Sequence, residues 1–129
     1  RSLRITDQGG VDRRLEELVY GGGDPVGYVS DPQETINYAE AHDNETLFDL
    51  NAYKLPRDTS PWDRMRAQNL ATSLVILAQG VPFLHAGQDM LRSKSLDRNS
   101  YDSGDWFNLL DFSLRTNGWG RGLPPERDN

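Results

Sequence analysis

Residues 35–49 read T-I-N-Y-A-E-A-H-D-N-E-T-L-F-D, and the fold is decided by how this stretch changes character. It opens with the strand-forming Ile36 and Tyr38, then breaks into four consecutive polar residues, His42, Asp43, Asn44 and Glu45. An apolar pattern resumes at Leu47, Phe48 and Leu50. A strand that ends in convergent polar groups and hands over to a helix is how α/β folds present chemistry, at the carboxyl ends of their strands. The stretch therefore reads as an edge of an active site.

The flanking segments extend this reading. Thr46 to Lys54 predicts a short helix, ended by Leu55-Pro56. Ser60-Pro61-Trp62-Asp63 then supplies an N-cap hydroxyl, a proline at the first helical position and an acid at the third, so a helix starts here. It runs to Ala78, with Ala67, Leu70, Ala71, Leu74, Val75 and Ala78 at helical spacing, and Gly80 and Pro82 stop it. That stripe and Trp62 are expected in the core. Residues 81–86, V-P-F-L-H-A, predict a second strand with proline near its start. Strand, helices and strand form a βαβ unit whose strands should be parallel.

Elsewhere the pattern is weaker. Residues 11–19 place Val11, Leu15, Leu18 and Val19 on one face of a short helix. Gly21-Gly22-Gly23-Asp24-Pro25 should close it with a loop, and Ser30-Asp31-Pro32 is a turn signal. Residues 92–129 form one long polar loop region after the second strand, in which Tyr101, Trp106 and Phe107 should act as anchors.

Composition narrows the function classes. The chain has 129 residues, 36% hydrophobic, with mean hydropathy −0.72, which is lean for a self-contained core. A piece of a larger domain, with no complete independent domain in residues 1–129, would look like this. Net charge is −6 without a dense Lys/Arg run, so nucleic acid is not an expected partner. No apolar run reaches membrane-spanning length, and no membrane partner is expected. With no cysteine there is no disulfide framework or thiolate metal site. The opening R-S-L-R-I-T-D lacks the apolar core of a signal peptide, and both secreted and cytoplasmic locations stay open.

Three chemistries can be weighed at the polar cluster. Adjacent residues on an extended chain point in opposite directions, which argues against one metal ion collecting His42 and Asp43. Acyl transfer lacks a G-x-S-x-G motif. Carbohydrate chemistry fits better, because sugar sites combine a carboxylate, a His or Asn reading hydroxyls, an Arg and aromatic surfaces, here Asp43, His42, Asn44, Arg98 and the Tyr/Trp-rich loop. Each of these has a plainer reading beside it. Asp43 and Asn44 suit a turn, Glu45 suits the start of the following helix, and His85 suits a packed position in an apolar strand. Arg98 suits an ion pair with Asp97, Asp102 or Asp105, and Trp106 and Trp119 suit buried loop anchors.

Three longer runs, Y-A-E-A-H-D-N-E-T-L-F-D, Q-G-V-P-F-L-H-A-G-Q-D-M-L-R-S-K-S and N-S-Y-D-S-G-D-W-F-N, closely resemble the pullulanase and limit-dextrinase branch of the α-amylase superfamily of glycoside hydrolases. The resemblance covers about residues 28–129. It implies an α/β fold, a partial (β/α)₈ TIM barrel in which residues 36–41 are strand seven and residues 81–86 strand eight. It also implies retaining hydrolysis of α-1,6 branch linkages in pullulan, glycogen or starch-derived limit dextrins. On that resemblance Asp43 is the transition-state stabiliser, and His42 and Arg98 contact substrate; Asn44, read from the residues alone, is a substrate-contact candidate that equally suits holding the turn. Asp89 stands where the superfamily often has Glu.

The implied partners are an α-glucan and the remainder of the catalytic barrel. No cofactor or metal is expected in this chain, and calcium elsewhere in the intact enzyme is left open. The resemblance places the nucleophile and general acid on strands upstream of this chain, so the chain alone should be inactive. Two alternatives stand beside debranching: a non-catalytic α-glucan-binding module and an α-1,4-acting amylase relative.

Overall fold

The computed structural model describes the backbone of residues 4–6, 12–14, 19–20 and 24–25 and the full detail of residues 31–126. The chain divides into two units, Arg1–Thr35 and Ile36–Asn129.

In the first unit, β1 (Arg4–Thr6) pairs antiparallel with β2 (Asp12–Arg14), with Ile5 opposite Arg13. A second antiparallel pair joins β3 (Val19–Tyr20) to β4 (Asp24–Pro25). The helix expected over residues 11–19 is contradicted at Asp12–Arg14 and at Val19, which lie in strands, whereas Val11, Leu15 and Leu18 lie outside the described residues. An isolated amphipathic helix of this length lacks enough turns to repay nucleation, and strand pairing wins. Asp24 and Pro25, expected in a loop, belong to a ladder instead, whereas Gly21, Gly22, Gly23 and Ser30 lie outside the described residues. The turn signal at Asp31 holds. Its carboxylate accepts from the Gln33 amide at 2.9 Å, while Glu34 accepts from the Asp31 amide at 3.3 Å, closing a capping box over the 3₁₀ turn Pro32–Glu34.

The second unit holds the expected strand–helix–strand arrangement. β5 (Ile36–Asn37) and β6 (Val81–Pro82) are parallel, with Ile36 opposite Val81. Between them lie α1 (Leu47–Lys54) and α2 (Pro61–Leu77). The caps are those read from the sequence. Thr46 Oγ1 accepts from the Asp49 amide at 3.2 Å, and Ser60 Oγ accepts from the Asp63 amide at 3.1 Å. Each such cap stabilises by about 1 kcal/mol.

Both strands are shorter than expected, two residues instead of six. Pro82 has no amide to donate, and among the described residues each strand has a neighbour on one side only. The ladder ends with the Phe83 amide donating to the Asn37 carbonyl at 2.8 Å. The described residues thus show a parallel pair and mixed helix and strand, not a barrel wall.

Packing of α2 matches expectation at Val75 and differs from it elsewhere. Its buried positions are Gln68 and Val75, while Trp62, Leu70 and Leu74 are each more than 60% exposed. The helix turns a polar stripe inward because α1 and the following turn offer hydrogen-bond partners there. Gln68 donates to the Gln88 carbonyl at 3.0 Å, and Gln88 donates to Thr72 Oγ1 at 2.9 Å. Arg64 closes the interhelix loop by donating to the carbonyls of Asn51 (2.5 Å) and Pro56 (3.0 Å).

Residues 92–126 are irregular but heavily tied down. They contain a 3₁₀ turn at Ser100–Asp102 and the single helical turn α3 (Asp105–Asn108). Phe107 is the buried aromatic, whereas Tyr101 and Trp106, expected as anchors, are 80% and 62% exposed. Trp106 stacks edge-on against Phe107, and Trp119, also exposed, meets Phe48 in the same way. Gly118 is required as glycine: its φ is +94°, and a Cβ there would meet the Ser93 carbonyl oxygen at 2.6 Å.

The link from this loop back to α1 is the Asp49 carboxylate. It is fully buried, accepting from Ser93 Oγ at 2.6 Å and from the Lys94 amide at 2.8 Å. In the intact protein, Asp49→Ala strands two buried donors and should destabilise by about 2–4 kcal/mol. Thermal or denaturant unfolding against wild type measures it, and an unchanged midpoint would show that the tether carries no weight.

Candidate functional site

The polar cluster lies where β5 gives way to α1. After Asn37 the chain bends through residues 42–44, and Asn44 takes a left-handed conformation with φ 61°. Asparagine tolerates this better than other non-glycine residues because its short amide suits local bonding. The bend sets His42 Nδ1 3.1 Å from Asp43 Oδ1, with both side chains 79% exposed. The expectation that these neighbours diverge is overturned. It rested on extended backbone, and the backbone here is not extended.

A second segment meets the bend. The Asn44 amide donates to the Arg98 carbonyl at 3.0 Å, so the turn after β5 is hydrogen-bonded to the loop after β6. Glu45 reinforces the contact. Its Oε1 accepts from the Tyr53 hydroxyl at 3.0 Å and lies 3.9 Å from Arg98 Nε. Glu45 therefore belongs to a bridge between α1 and the loop, and does more than precede a helix. His42, Asp43, Asn44 and Arg98 all fall on this exposed edge.

Beneath the edge lies a buried polar layer. The Glu40 carboxylate is 1% exposed. Its Oε2 accepts from the Leu47 amide at the start of α1, and its Oε1 lies 3.6 Å from His85 Nδ1. His85, 14% exposed, is thus a packed residue facing a carboxylate. Arg92 donates to the carbonyls of Ala86 and Asn108. Burial holds the Arg92 guanidinium below its usual range, against the attraction of Glu40. Burial and the Arg92 charge likewise lower Lys94, opposed by Asp97, Glu40 and Asp49. Asp97 is fully buried, accepting from the Asn99 amide at 2.8 Å and Ser103 Oγ at 3.3 Å. Asp89 is exposed in the 3₁₀ turn Gln88–Met90.

Sequence reasoning passed over Glu40, Asp49 and Tyr53. Glu40 carried one signal, a single acid flanked by two alanines next to the polar cluster. Asp49 looked like an ordinary first-turn acid, and nothing local shows that its partners lie more than forty residues away.

The arrangement can do two things chemically. An exposed carboxylate beside an imidazole can accept hydroxyl hydrogen bonds and stabilise developing positive charge. The fixed turn holds that carboxylate with little reorganisation.

No protein-family profile matches the chain. It is 53% identical, over all 129 residues, to the chloroplastic pullulanase 1 of Arabidopsis thaliana, spanning 13% of that protein. It is 42% identical over 97% of its length to a pullulanase of Klebsiella aerogenes, spanning 11% of it. Among solved structures, a Klebsiella pneumoniae pullulanase complexed with maltotriose superposes with TM-score 0.83 at 42% identity, covering 98% of this chain and 12% of that one. The chain thus spans about one eighth of the relatives it matches.

The Tyr53 phenol offers a direct check on the Glu45 bridge. Partial burial, the hydrogen bond to Glu45 and that residue's charge push Tyr53 above the usual phenol range, with Arg98 opposing. A folded pKa above the unfolded one contributes stability that is complete below the unfolded value and lost as pH rises through the folded one. Ultraviolet difference titration of wild type against Tyr53→Phe should show a late-titrating phenol. Glu45→Gln should move that transition back toward the usual range, and an unmoved transition would remove Glu45 as its cause.

Proposed function

We propose, because this chain is homologous along its whole length to one segment of the pullulanases, that the intact protein is a retaining glycoside hydrolase that cleaves α-1,6 branch linkages. Its substrates are α-glucans such as pullulan, glycogen or starch-derived limit dextrins. The chain supplies one edge of a (β/α)₈ barrel, with β5 and β6 as strands seven and eight and residues 92–129 as the loop region beyond. No independent domain is assigned within it, and the nucleophile and general acid come from the rest of the barrel.

Homology carries the reading, and the Asn44 amide bonded to the Arg98 carbonyl, which joins the His42-Asp43 turn to the loop bearing Arg98, supports the grouping of the site residues. Asp43 is the transition-state stabiliser, its carboxylate accepting ring hydroxyl hydrogen bonds that tighten as the sugar becomes oxocarbenium-like. His42, 3.1 Å from it, shares the reading of those hydroxyls and limits the carboxylate's freedom. Arg98 and Asn44 contact the sugar beside the cleavage point.

Remaining barrel strands are the natural partner of the parallel pair. Ile36, Tyr38, Val81, Phe83 and Leu84 are all exposed, yet parallel sheets are ordinarily covered on both faces. The complex of the Klebsiella pneumoniae relative with maltotriose supports an α-glucan as ligand.

The test uses the intact protein on pullulan beside amylose. Debranching predicts new reducing ends from pullulan. Release from amylose alone would mark an α-1,4-acting enzyme, and glucan binding without hydrolysis would mark a binding module. Asp43→Asn should cut turnover on pullulan by roughly a hundredfold or more with a smaller change in KM. Near-normal turnover in that variant would overturn the role of Asp43.

A further inference from the structure

Glu40 lies three residues before Asp43, on the buried side of the turn, and it spans the base of that turn. Its Oε2 accepts from the Leu47 amide, so a single carboxylate joins the two ends of the segment 40–47 that carries His42, Asp43 and Asn44. The Leu47 amide opens α1, where the first amides have no partner within the helix. The other oxygen faces His85 Nδ1 at 3.6 Å, just past the end of β6.

Among the described residues, neither Glu40 Oε1 nor His85 Nδ1 has a hydrogen-bond partner, and both are buried. The two side chains pack against each other there, 3.6 Å apart and away from water. The charges of Arg92 and Lys94 also act on this carboxylate. Glu40 is buried beneath His42 and Asp43, which are 79% exposed, so the residue lies out of reach of a ligand at that edge.

We infer that Glu40 is a positioning residue for Asp43: through the Leu47 amide and His85 it fixes the turn that presents the His42-Asp43 pair. This rests on the debranching reading above for its kinetic consequence, though not for its structural one. The carboxylate reaches across the base of the turn and toward β6 at the same time, which demands the full length of a glutamate side chain. Glutamine has the same length and still accepts from the Leu47 amide, whereas aspartate keeps the charge and loses the reach.

The experiment compares Glu40→Asp and Glu40→Gln with wild type in the intact protein. On pullulan, Glu40→Asp should lose roughly tenfold or more in kcat with KM little changed, because a small misplacement of a catalytic group acts on the transition state. Glu40→Gln should recover most of that loss. Wild-type kcat in Glu40→Asp, an equal loss in both variants, or a loss seen only as raised KM would overturn the inference. Amide hydrogen exchange over residues 40–50 is read in parallel. Faster exchange at Leu47 in Glu40→Asp than in Glu40→Gln supports the brace, and equal exchange in all three proteins overturns it. If wild type leaves pullulan intact, the debranching reading fails by itself, and the exchange measurement still decides the brace.

Discussion

Asp49 has no solvent exposure, and its two carboxylate oxygens receive a hydroxyl and an amide from residues more than forty positions later. Loss of solvation at a buried carboxylate is tolerable only when hydrogen bonds replace the lost water, and here Ser93 and Lys94 do so. The consequence is geometric. α1 and the loop after β6 cannot separate without breaking both of these buried bonds, so the segment leading to Arg98 stays against α1. The Asn44 amide then closes a second bond to the Arg98 carbonyl. Two polar ties, one buried and one at the exposed edge, set the spacing of the candidate site.

The interior of the second unit depends on such ties to an unusual degree. Among the described residues, Leu47, Val75 and Phe107 are its buried apolar side chains, while Glu40, Thr46, Asp49, Gln68, Gln88, Ser93, Lys94, Asp97 and Ser100 are buried as well. Burying Phe107 stabilises by about 1.5–3 kcal/mol, and a few such residues cannot hold ninety residues together. Specific hydrogen bonds define the loop paths instead. They are directional, so they define geometry where apolar packing alone would allow sliding. An active-site edge benefits from this, because catalytic groups need placement within a fraction of an ångström.

Local signals were legible and distant ones were not. Ser60-Pro61-Asp63 and Thr46 start helices through bonds to amides within three residues, and both caps stand where the sequence put them. The parallel pairing of Ile36 with Val81 followed from the order strand, helix, strand. Strand length did not follow, because it depends on neighbours outside the pair. The inward face of α2, Val75 apart, was misread for a related reason. Leu70 and Leu74 have the better hydrophobicity, but Gln68 and Thr72 have the partners, and those partners lie on other elements. At the candidate site, His42 and Asp43 were singled out by residue type, whereas their mutual approach required a bend that periodicity does not register.

Two groups of exposed residues in the second unit bear on function. Ile36, Tyr38, Val81 and Phe83 are apolar and lie on or beside the parallel strands, whose stability elsewhere comes from cover on both faces. His42, Asp43 and Arg98 are polar and lie on the turns that follow those strands. Apolar sides and polar strand ends are the two faces that a parallel α/β sheet presents to its neighbours and to its ligand. The ties through Asp49, Glu40 and Asn44 run only between elements of this one unit. Geometry at the polar end is therefore held by contacts that do not involve the apolar faces. Additional strands against Ile36 or Val81 would bury area and add stability, while the relation of His42 and Asp43 to the Arg98 loop is already set by hydrogen bonds within the unit.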